Sequence, residues 1–438
     1  MNIQALPRVD SLKIVPGDTV LARMTLDVPM LRDGERMLVT DDSRLRKMVP
    51  TLEELISKGA RTVIIGHVGR PIHGKYDPEK TTEPAAIRLA QLLGKQVAYL
   101  PDWDFKTIAD MLKQLPPGGL MMCPNARFNP SEQDEIVITA TMSIEEVIKL
   151  QTKKRQEREA FANSLCGLGK YFIFDDAPAA WRPTNSSVNL APMFPSDRRA
   201  IGSCCLHELE LLEQLRAFTG PLILMVGGDK LDKLPLIRHF IKPGRQLILI
   251  FFGKMSFTFS AANGNDIPVD LVDQTMLQEA EDILTLAHNA GATLVLPSDY
   301  VIVSKGDLLR LMSDDLTTPN EPKVIPYGHV AYDIGHEARA AVGKIIKEAP
   351  AGAKIIWDGA PGLIISNGRY MFGALRICEA LAGTKAQVNI FGGDTVGLVR
   401  SLSSLEGKEN VIFFTAGGSG LAYLVNPQSW SAIQAFLN

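Results

Sequence analysis

Two neighbouring stretches near the end of the chain repeat one pattern: a short apolar run, a glycine-rich turn, and apolar residues at helical spacing. The first copy occupies residues 388–402 and the second residues 411–425. Each copy predicts a buried β-strand that leads through a tight turn into an α-helix. Strands separated by helices form parallel sheets, so the fold class predicted is α/β.

The glycine turns of both copies suit a ligand that carries phosphate. N–H groups and the dipole at a helix start favour an anion, and glycines allow close approach to the backbone. Asp394 is a hard oxygen donor for Mg²⁺ on a nucleotide phosphate, and Thr395 adds a hydroxyl. One such turn alone would be an ordinary helix start, but two neighbouring copies favour phosphate binding. Their glycines are Gly392, Gly393, Gly417 and Gly418.

Composition limits the class of protein. A chain of 438 residues is long enough for two large domains, and 46% hydrophobic with 22% charged residues is typical of soluble globular proteins. No apolar run is long enough to span a bilayer, and the net charge of −3 predicts neither nucleic acid nor membrane as a partner. Five scattered cysteines favour a reducing compartment. We expect a cytoplasmic monomer that acts on small molecules.

Strand-like apolar runs alternate with helical patterns along the whole chain. These runs lie at 20–26, 63–65, 96–100, 120–123, 171–174, 222–226, 247–252, 294–296 and 355–357. A loop-like stretch at 192–200 interrupts the pattern, and a helix predicted at 206–218 would connect two domains. We therefore predict a first domain at 1–200, a second at 201–424 and a tail at 425–438. Ligands of such sheets bind beyond the carboxyl ends of the strands, where the polar turns lie.

Basic side chains follow the strands of the first half. Arginines that converge on one edge of a sheet form a bidentate site for phosphate or carboxylate. Each of these residues alone is more often a solvated surface charge, but their shared position after parallel strands favours a common site. The candidates are His67, Arg70, Arg127 and Arg182, with Arg44 at the start of the first long helix.

Two lysines follow a glycine turn in the second half. Lys230 and Lys233 come after Gly227-Gly228, where a lysine can hold a transferring phosphoryl group. The helix dipole disfavours positive charge there, so a bound anion explains the lysines better than solvation does. The first half is thus predicted to bind an anionic small molecule, and the second half nucleotide phosphates with Mg²⁺. Two half-sites on separate domains suit phosphoryl transfer with hinge closure.

These motifs resemble the phosphoglycerate kinase family across nearly the whole chain. The resemblance implies two Rossmann-like domains separated by a cleft and hinge, with the C-terminal tail returning to the first domain. It implies ATP or ADP with Mg²⁺ on the second domain, phosphoglycerate on the first, and phosphoryl transfer to a carboxylate. The stretches that carry it are VLARMTLDVP (20–29), TDDSRLRKMVPTLEELISKGA (40–60), GHVGRP (66–71), NARF (125–128), LILMVGGDK (222–230), IPYGHVAYDIG (325–335), IIWDGAPG (355–362), GGDT (392–395) and TAGGSG (415–420).

The resemblance also implies a role for each matching residue. Arg44 would bridge to the transferring group, and the other catalytic positions would be Lys233, Gly417 and Gly418. The positions facing the acid would be Thr25, Asp27, Arg44, His67, Arg70, Arg127 and Arg182. The positions facing the nucleotide would be Gly227, Gly228, Lys230, Lys233, Gly253, Asp358, Gly392, Gly393, Asp394 and Thr395, with Asp394 holding Mg²⁺.

The chain departs from the family pattern where the acid's hydroxyl would bind. The family's Asp-x-Asn-x-Pro reads Thr25-Leu26-Asp27-Val28-Pro29, which indicates an acceptor that differs at the hydroxyl. The family's His-Arg reads Arg182-Pro183, so Arg182 is a candidate to replace the missing arginine from a neighbouring position. An added segment is predicted near residues 131–150.

The nucleotide side departs as well. The two lysines are three residues apart, one fewer than in the family. Phe252-Gly253-Lys254 replaces a glycine run on the adenine side, Asp358 replaces an asparagine, and Ile365 stands at the ribose-binding glutamate position. Three hypotheses follow: a kinase acting on 3-phosphoglycerate, a related kinase for a different phosphorylated or phosphono carboxylic acid, and a catalytically inactive protein that binds nucleotide or another ligand.

Overall fold

The computed structural model describes residues 3–133, 136, 138–228, 233–307, 321–363 and 371–437. The chain divides into two compact units. Unit 1 is Met1–Gln214 with Asn426–Asn438, and unit 2 is Leu215–Val425. The division falls near the end of the helix Ser203–Arg216, downstream of the boundary predicted at residue 200.

Unit 1 alternates strands and helices. In chain order its elements are β1 (Thr19–Met24), β2 (Met30–Asp33), β3 (Arg36–Val39), α1 (Ser43–Ser57), β4 (Arg61–Ile65), α2 (Glu83–Leu93), β5 (Val97–Tyr99), α3 (Phe105–Gln114), β6 (Leu120–Met122), α4 (Ile144–Cys166), β7 (Tyr171–Asp175), β8 (Arg199–Ile201) and α5 (Ser203–Arg216).

The sheet of unit 1 has the strand order β5-β6-β4-β1-β7-β8, and all of its pairs are parallel. Every residue of β7 is buried, as expected for a strand covered by helices on both faces. After β1 the chain adds β4, β5 and β6 on one side and then returns to add β7 on the other. The direction of winding therefore reverses between β1 and β7, and ligands of doubly wound sheets bind at the carboxyl edge of such a reversal.

Unit 2 repeats the alternation. Its elements are β9 (Leu222–Val226), α6 (Leu234–Phe240), β10 (Leu247–Phe251), α7 (Gly253–Ala262), α8 (Leu277–Asn289), β11 (Thr293–Val295), β12 (Tyr300–Ser304), β13 (His329–Ile334), α9 (His336–Lys347), β14 (Lys354–Asp358), α10 (Phe372–Gly383), β15 (Gln387–Phe391), α11 (Gly393–Leu402), β16 (Val411–Phe413) and α12 (Gly418–Val425). The chain then returns to unit 1 as α13 (Ser431–Leu437).

The sheet of unit 2 has the order β11-β10-β9-β14-β15-β16, again with every pair parallel. Numbered by their order along the chain, these strands read 3-2-1-4-5-6, the order of a dinucleotide-binding Rossmann sheet. The reversal lies between β9 and β14. An antiparallel pair, β12 with β13, stands apart from this sheet.

The strand-turn-helix units predicted at 388–402 and 411–425 both form, as β15 into α11 and β16 into α12. A capping box begins the long helix α4, because Ser143 and Glu146 each accept the other's backbone N–H there.

Several short elements were absent from the sequence prediction. The hairpin of β2 and β3 turns at Gly34, whose φ of 59° suits a tight two-residue loop. Strand β8 lies at the end of the stretch predicted to be a loop, and it pairs with β7. These strands are short and carry charged residues, so their apolar pattern is weak.

The C-terminal helix packs on unit 1. The Ala432 N–H donates to the carbonyl of Ala180, and the ring of Phe436 stacks on Phe172 with centroids 6.0 Å apart. All five cysteines are free thiols. Among the described helices, none combines the length and the apolarity that a membrane span requires.

Candidate functional site

A buried arginine organises the winding reversal of unit 1. Arg23, at the end of β1, is 1% exposed and forms an ion pair with Asp176, which follows β7. Its Nε donates to the Ser186 hydroxyl at 2.9 Å. Thr25 donates to the second carboxylate oxygen of Asp176 at 2.9 Å, so this threonine is held by the same carboxylate. The sequence prediction included Thr25 but missed Arg23, Asp176 and Ser186.

His67 lies against Arg23. Its Nδ1 is 3.0 Å from an Arg23 guanidinium nitrogen. A guanidinium group only donates, so Nδ1 must accept, and the ring is neutral with its proton on Nε2. Burial, together with the positive charge of Arg127 and Arg23, holds the pKa of His67 well below its usual range. His67 is therefore a neutral hydrogen-bond donor rather than a cation.

Asp27 fixes two neighbouring groups. Its Oδ1 accepts the backbone N–H of Gly69 at 2.8 Å, and its Oδ2 lies 3.6 Å from the Arg44 guanidinium, which also donates to the Asp27 carbonyl. The loop after β1 thus positions Arg44 and the loop that contains His67. Both side chains predicted to meet the acid's hydroxyl, Thr25 and Asp27, are engaged within the protein.

The buried side chain of Asn125 positions Arg127. The Asn125 side chain is fully buried and accepts the Arg127 N–H at 3.0 Å, while its amide donates to the carbonyls of Val68 and Lys80 at 2.8 Å each. The Arg127 guanidinium donates to the carbonyl of Gly69. The loops after β4 and β6 are therefore held together by one asparagine, which the sequence prediction quoted only as part of a motif.

The predicted basic residues are brought together. Arg127, Arg23, Arg182 and Arg44 all lower the pKa of His67, and the exposed Arg70 lowers the pKa of Arg182 after the larger effect of burial. We call this set the cationic cluster: the arginines Arg23, Arg44, Arg70, Arg127 and Arg182 together with the neutral His67. Asp176 and Asp27 pair with Arg23 and Arg44, and a bound multivalent anion would offset the charge of the other arginines.

The first residues of the segment predicted as an addition near 131–150 contact residues that hold the cationic cluster in place. Glu132 is 1% exposed and accepts both the backbone N–H and the hydroxyl of Ser186, the residue that holds Arg23. Residues 131 and 132 therefore belong to the core of unit 1, and the exposed part of the segment starts after them.

The glycine turns of unit 2 lie at the carboxyl edge of its sheet. Gly227 and Gly228 follow β9, Gly392 and Gly393 follow β15, and Gly417 and Gly418 open α12. Gly392 has a φ of 81°, and a Cβ there would lie 2.5 Å from a carboxylate oxygen of Asp358. A side chain at this position is thus excluded by both conformation and space.

Lys233 is buried rather than solvated. Its Nζ donates to the carbonyls of Gly227 at 2.6 Å and Asp358 at 3.1 Å, and it lies 2.9 Å from the Asp358 carboxylate. The negative partner that the sequence suggested for this lysine is thus a carboxylate of the chain itself. Lys230 and Ile365 lie outside the described residues.

Asp394 and Thr395 occupy the first turn of α11 with different surroundings. Thr395 is buried, and its hydroxyl accepts the backbone N–H of Gly359 at 2.9 Å. Asp394 is exposed beside the glycine turn. No group of three or more His, Cys, Asp or Glu side chains among the described residues could hold a metal by itself. A lone carboxylate fits Mg²⁺ that is held mainly by nucleotide phosphates and water.

The residues predicted to lie on the adenine side differ in their exposure. Phe252 is buried at the end of β10, while Lys254 is exposed in the first turn of α7. Gly253 donates its N–H to the carbonyl of Pro361 at 3.2 Å, which joins the turns after β10 and β14. The turns after β9, β10, β14 and β15 therefore form one connected rim.

Comparison with known proteins agrees with this architecture. Phosphoglycerate kinases from Coxiella burnetii and Pyrococcus horikoshii share the fold, with TM-scores of 0.71 and 0.75 at 23% and 21% identity, and each alignment covers 99% of both chains.

Sequence relatives point the same way. The phosphoglycerate kinase of Frankia casuarinae is 31% identical over 422 residues, covering 95% of this chain and 96% of the relative. That of Leifsonia xyli subsp. xyli is 30% identical over 423 residues, covering 96% of each. The family model for phosphoglycerate kinase matches residues 9–426. The chain belongs to the phosphoglycerate kinase family, and it is a kinase.

Proposed function

We propose that this kinase transfers a phosphoryl group between ATP or ADP with Mg²⁺ and the carboxylate of 3-phosphoglycerate (1,3-bisphosphoglycerate + ADP = 3-phosphoglycerate + ATP). The observation that carries this proposal is the cationic cluster at the winding reversal of unit 1. A phosphorylated acid has the two anionic ends that such a cluster can pair with.

In this proposal the cationic cluster binds and orients the acid. Arg70 and Arg127 hold its phosphate through charged hydrogen bonds, and neutral His67 donates from Nε2. Arg44, which Asp27 positions, reaches the transferring group, and Arg182 adds charge in place of the arginine lost at Pro183. Because the acceptor is already a carboxylate, no side chain has to remove a proton from it.

Unit 2 holds the nucleotide in this proposal. The turns at Gly227-Gly228 and Gly392-Gly393 would present backbone to the phosphates, and the start of α12 offers the N–H groups of Gly417 and Gly418. Thr395 and Asp394 lie at the start of α11, and Asp394 would hold Mg²⁺. When bound, Mg²⁺ neutralises charge on the phosphates. Catalysis rests on positioning and on neutralisation of charge during the transfer.

A coupled assay with ATP, Mg²⁺ and 3-phosphoglycerate tests the proposal. We expect turnover by the purified protein. Arg44→Ala should lower kcat by at least about a hundredfold, because it removes the positive charge that contacts the transferring group. Arg46→Ala is the matched control, since Arg46 lies on the same helix and pairs with Asp42. Absence of turnover, or equal turnover in Arg44→Ala, would contradict the proposal.

A second acceptor is favoured by one specific observation. The Thr25 hydroxyl donates to Asp176, and the Asp27 carboxylate accepts from the backbone of Gly69. Both side chains thus already have hydrogen-bond partners within the protein, which favours an acid that does not need them to bind a hydroxyl. A phosphorylated or phosphono carboxylic acid without that hydroxyl would need neither residue. Measuring kcat/KM for a panel of such acids decides between the two; a highest value with 3-phosphoglycerate would reject the second acceptor.

We further propose that the protein works as a monomer in the cytoplasm. The five free thiols agree with a reducing compartment. Light scattering of the purified protein measures its mass, and a mass of twice the 47.9 kDa chain would contradict the monomer.

A further inference from the structure

Three protein oxygens surround the ammonium group of Lys233. Its Nζ donates to the carbonyls of Gly227 and Asp358, and the Asp358 carboxylate lies 2.9 Å away as its ionic partner. A nucleotide phosphate that binds Lys233 therefore competes with these oxygens. The two carbonyls belong to the sheet edge, so the Asp358 carboxylate is the partner that can give way.

Asp358 lies where the two halves of the unit 2 sheet meet. It ends β14, next to β9, at the winding reversal, and its side chain is 6% exposed. One carboxylate oxygen faces Lys233, and the other faces Gly392, where a Cβ would lie only 2.5 Å away. The carboxylate thus lies between Lys233, which follows the Gly227-Gly228 turn, and the Gly392-Gly393 turn that precedes Asp394.

A phosphate at this place meets a like charge. The carboxylate and the phosphate compete for one ammonium group, and burial leaves little water to screen their repulsion. A divalent cation carried on the phosphates compensates for the extra negative charge. A nucleotide without a metal has no such compensation.

We infer that Asp358 is a positioning residue that holds Lys233 before nucleotide binds, competes with nucleotide phosphate for it, and so makes the protein discriminate against metal-free nucleotide. This inference rests on the proposed nucleotide site of unit 2. It assigns to Asp358 an effect on Lys233 rather than a contact with the nucleotide.

Calorimetry with ADP tests the inference, once with EDTA and once with Mg²⁺. Asp358→Asn keeps the size of the side chain and an acceptor oxygen but removes the charge. We expect this variant to bind metal-free ADP at least about tenfold more tightly than the unaltered protein, and to gain less affinity from Mg²⁺. Asp358→Ser serves as a second uncharged variant if Asp358→Asn does not fold, as judged by circular dichroism.

Glu348→Gln is the matched control. It removes the same formal charge from an exposed position between the end of α9 and the start of β14, at the opposite edge of the sheet. Its affinities should equal those of the unaltered protein with both forms of ADP, because the charge is distant and exposed to water.

A double-mutant cycle with Lys233→Met tests whether Asp358 acts through Lys233. Without the lysine there is no ammonium group for which the carboxylate and the phosphate compete. Replacing Asp358 in the Lys233→Met background should therefore change the affinity for metal-free ADP by less than about threefold.

The outcomes separate the inference from the proposed function. If Asp358→Asn binds metal-free ADP no more tightly than the unaltered protein, or loses affinity for both forms equally, the inference is wrong and the nucleotide site stands. An equal gain in the Lys233→Met background also overturns it. If the unaltered protein binds ADP neither with nor without Mg²⁺, the proposed function itself fails.

Discussion

Arg23 carries a charge inside a parallel sheet, and the polar groups around it show how the site of unit 1 is built. Its guanidinium is satisfied by Asp176, Ser186 and His67, so the cost of burying the charge is offset by hydrogen bonds. The sequence indicates this buried charge only through an arginine that interrupts the apolar run 20–24. Its partners lie more than 40 residues away along the chain, so their identity required the fold.

The tautomer of His67 is a direct prediction at this scale. We expect Nδ1 without a proton and Nε2 with one, and a ring that is still neutral at pH 6, where an exposed histidine is largely protonated, because Nδ1 accepts from Arg23 and the ring is buried among arginines. Two-dimensional ¹⁵N–¹H NMR of histidine-labelled protein measures both properties, and His67→Gln assigns the signal. A doubly protonated ring at pH 6 would contradict the arrangement.

The same depressed pKa predicts a dependence of stability on pH. In the unfolded chain a histidine takes up a proton as the pH falls through about 6.5, whereas native His67 does not, so acid favours the unfolded state. The stability advantage of the unaltered protein over His67→Gln should fall from pH 7.5 to pH 5.5, by at most about 1.4 kcal/mol per pH unit. Urea unfolding at both pH values measures it; an advantage that rises toward acid would have the wrong sign.

At the scale of elements, the strand-turn-helix units could be predicted, but the environment of their residues could not. Apolar runs with glycine turns located β9, β14, β15 and β16, since a buried parallel strand has a strong sequence signal. Spacing alone did not show that Lys233 is paired with Asp358, because the two residues are 125 positions apart. The short β8 and the β2–β3 hairpin escaped prediction, since their sequences are polar and partly charged.

Gly392 and Gly397 give a matched test of the turn before α11. Gly392→Ala forces a side chain onto a positive φ and against Asp358, so we expect a loss of about 1–3 kcal/mol of stability and weaker nucleotide binding. Gly397 lies within the same helix with nothing within 4 Å of a Cβ, so Gly397→Ala should be neutral or gain up to about 1 kcal/mol. Denaturant unfolding and calorimetry measure both; equal behaviour of the two variants would refute the assigned turn.

Phe436 and Leu437 test the packing of α13 in the same way. Phe436 is 5% exposed and stacks on Phe172, whereas its neighbour Leu437 is 43% exposed. We expect Phe436→Ala to lower the free energy of unfolding by about 3–5 kcal/mol and Leu437→Ala to change it by less than about 0.5 kcal/mol. Denaturant unfolding followed by circular dichroism gives both values, and a Phe436→Ala loss below 1 kcal/mol would mean that the helix is not part of the core of unit 1.

At the scale of the whole molecule, the fold and the family were predictable because the motifs run in order along nearly the entire chain. The recognition of the acid and the base was not, since Thr25, Asp27 and Phe252 depart from the family pattern. The side chains proposed to bind phosphate lie at the carboxyl edge of each sheet, where the winding reverses. In the proposed function each unit binds one of the two substrates, so the two binding sites can be tested separately.

The most direct measurement is calorimetric titration of the unaltered protein and Arg127→Gln with 3-phosphoglycerate and, separately, with ADP and Mg²⁺. We predict that the unaltered protein binds both ligands, and that Arg127→Gln binds the acid about ten- to a hundredfold more weakly while its affinity for ADP is unchanged, because only a charged hydrogen bond to the acid is lost. Equal affinity of both proteins for the acid, or no binding of the acid at all, would contradict an acid site built on the cationic cluster.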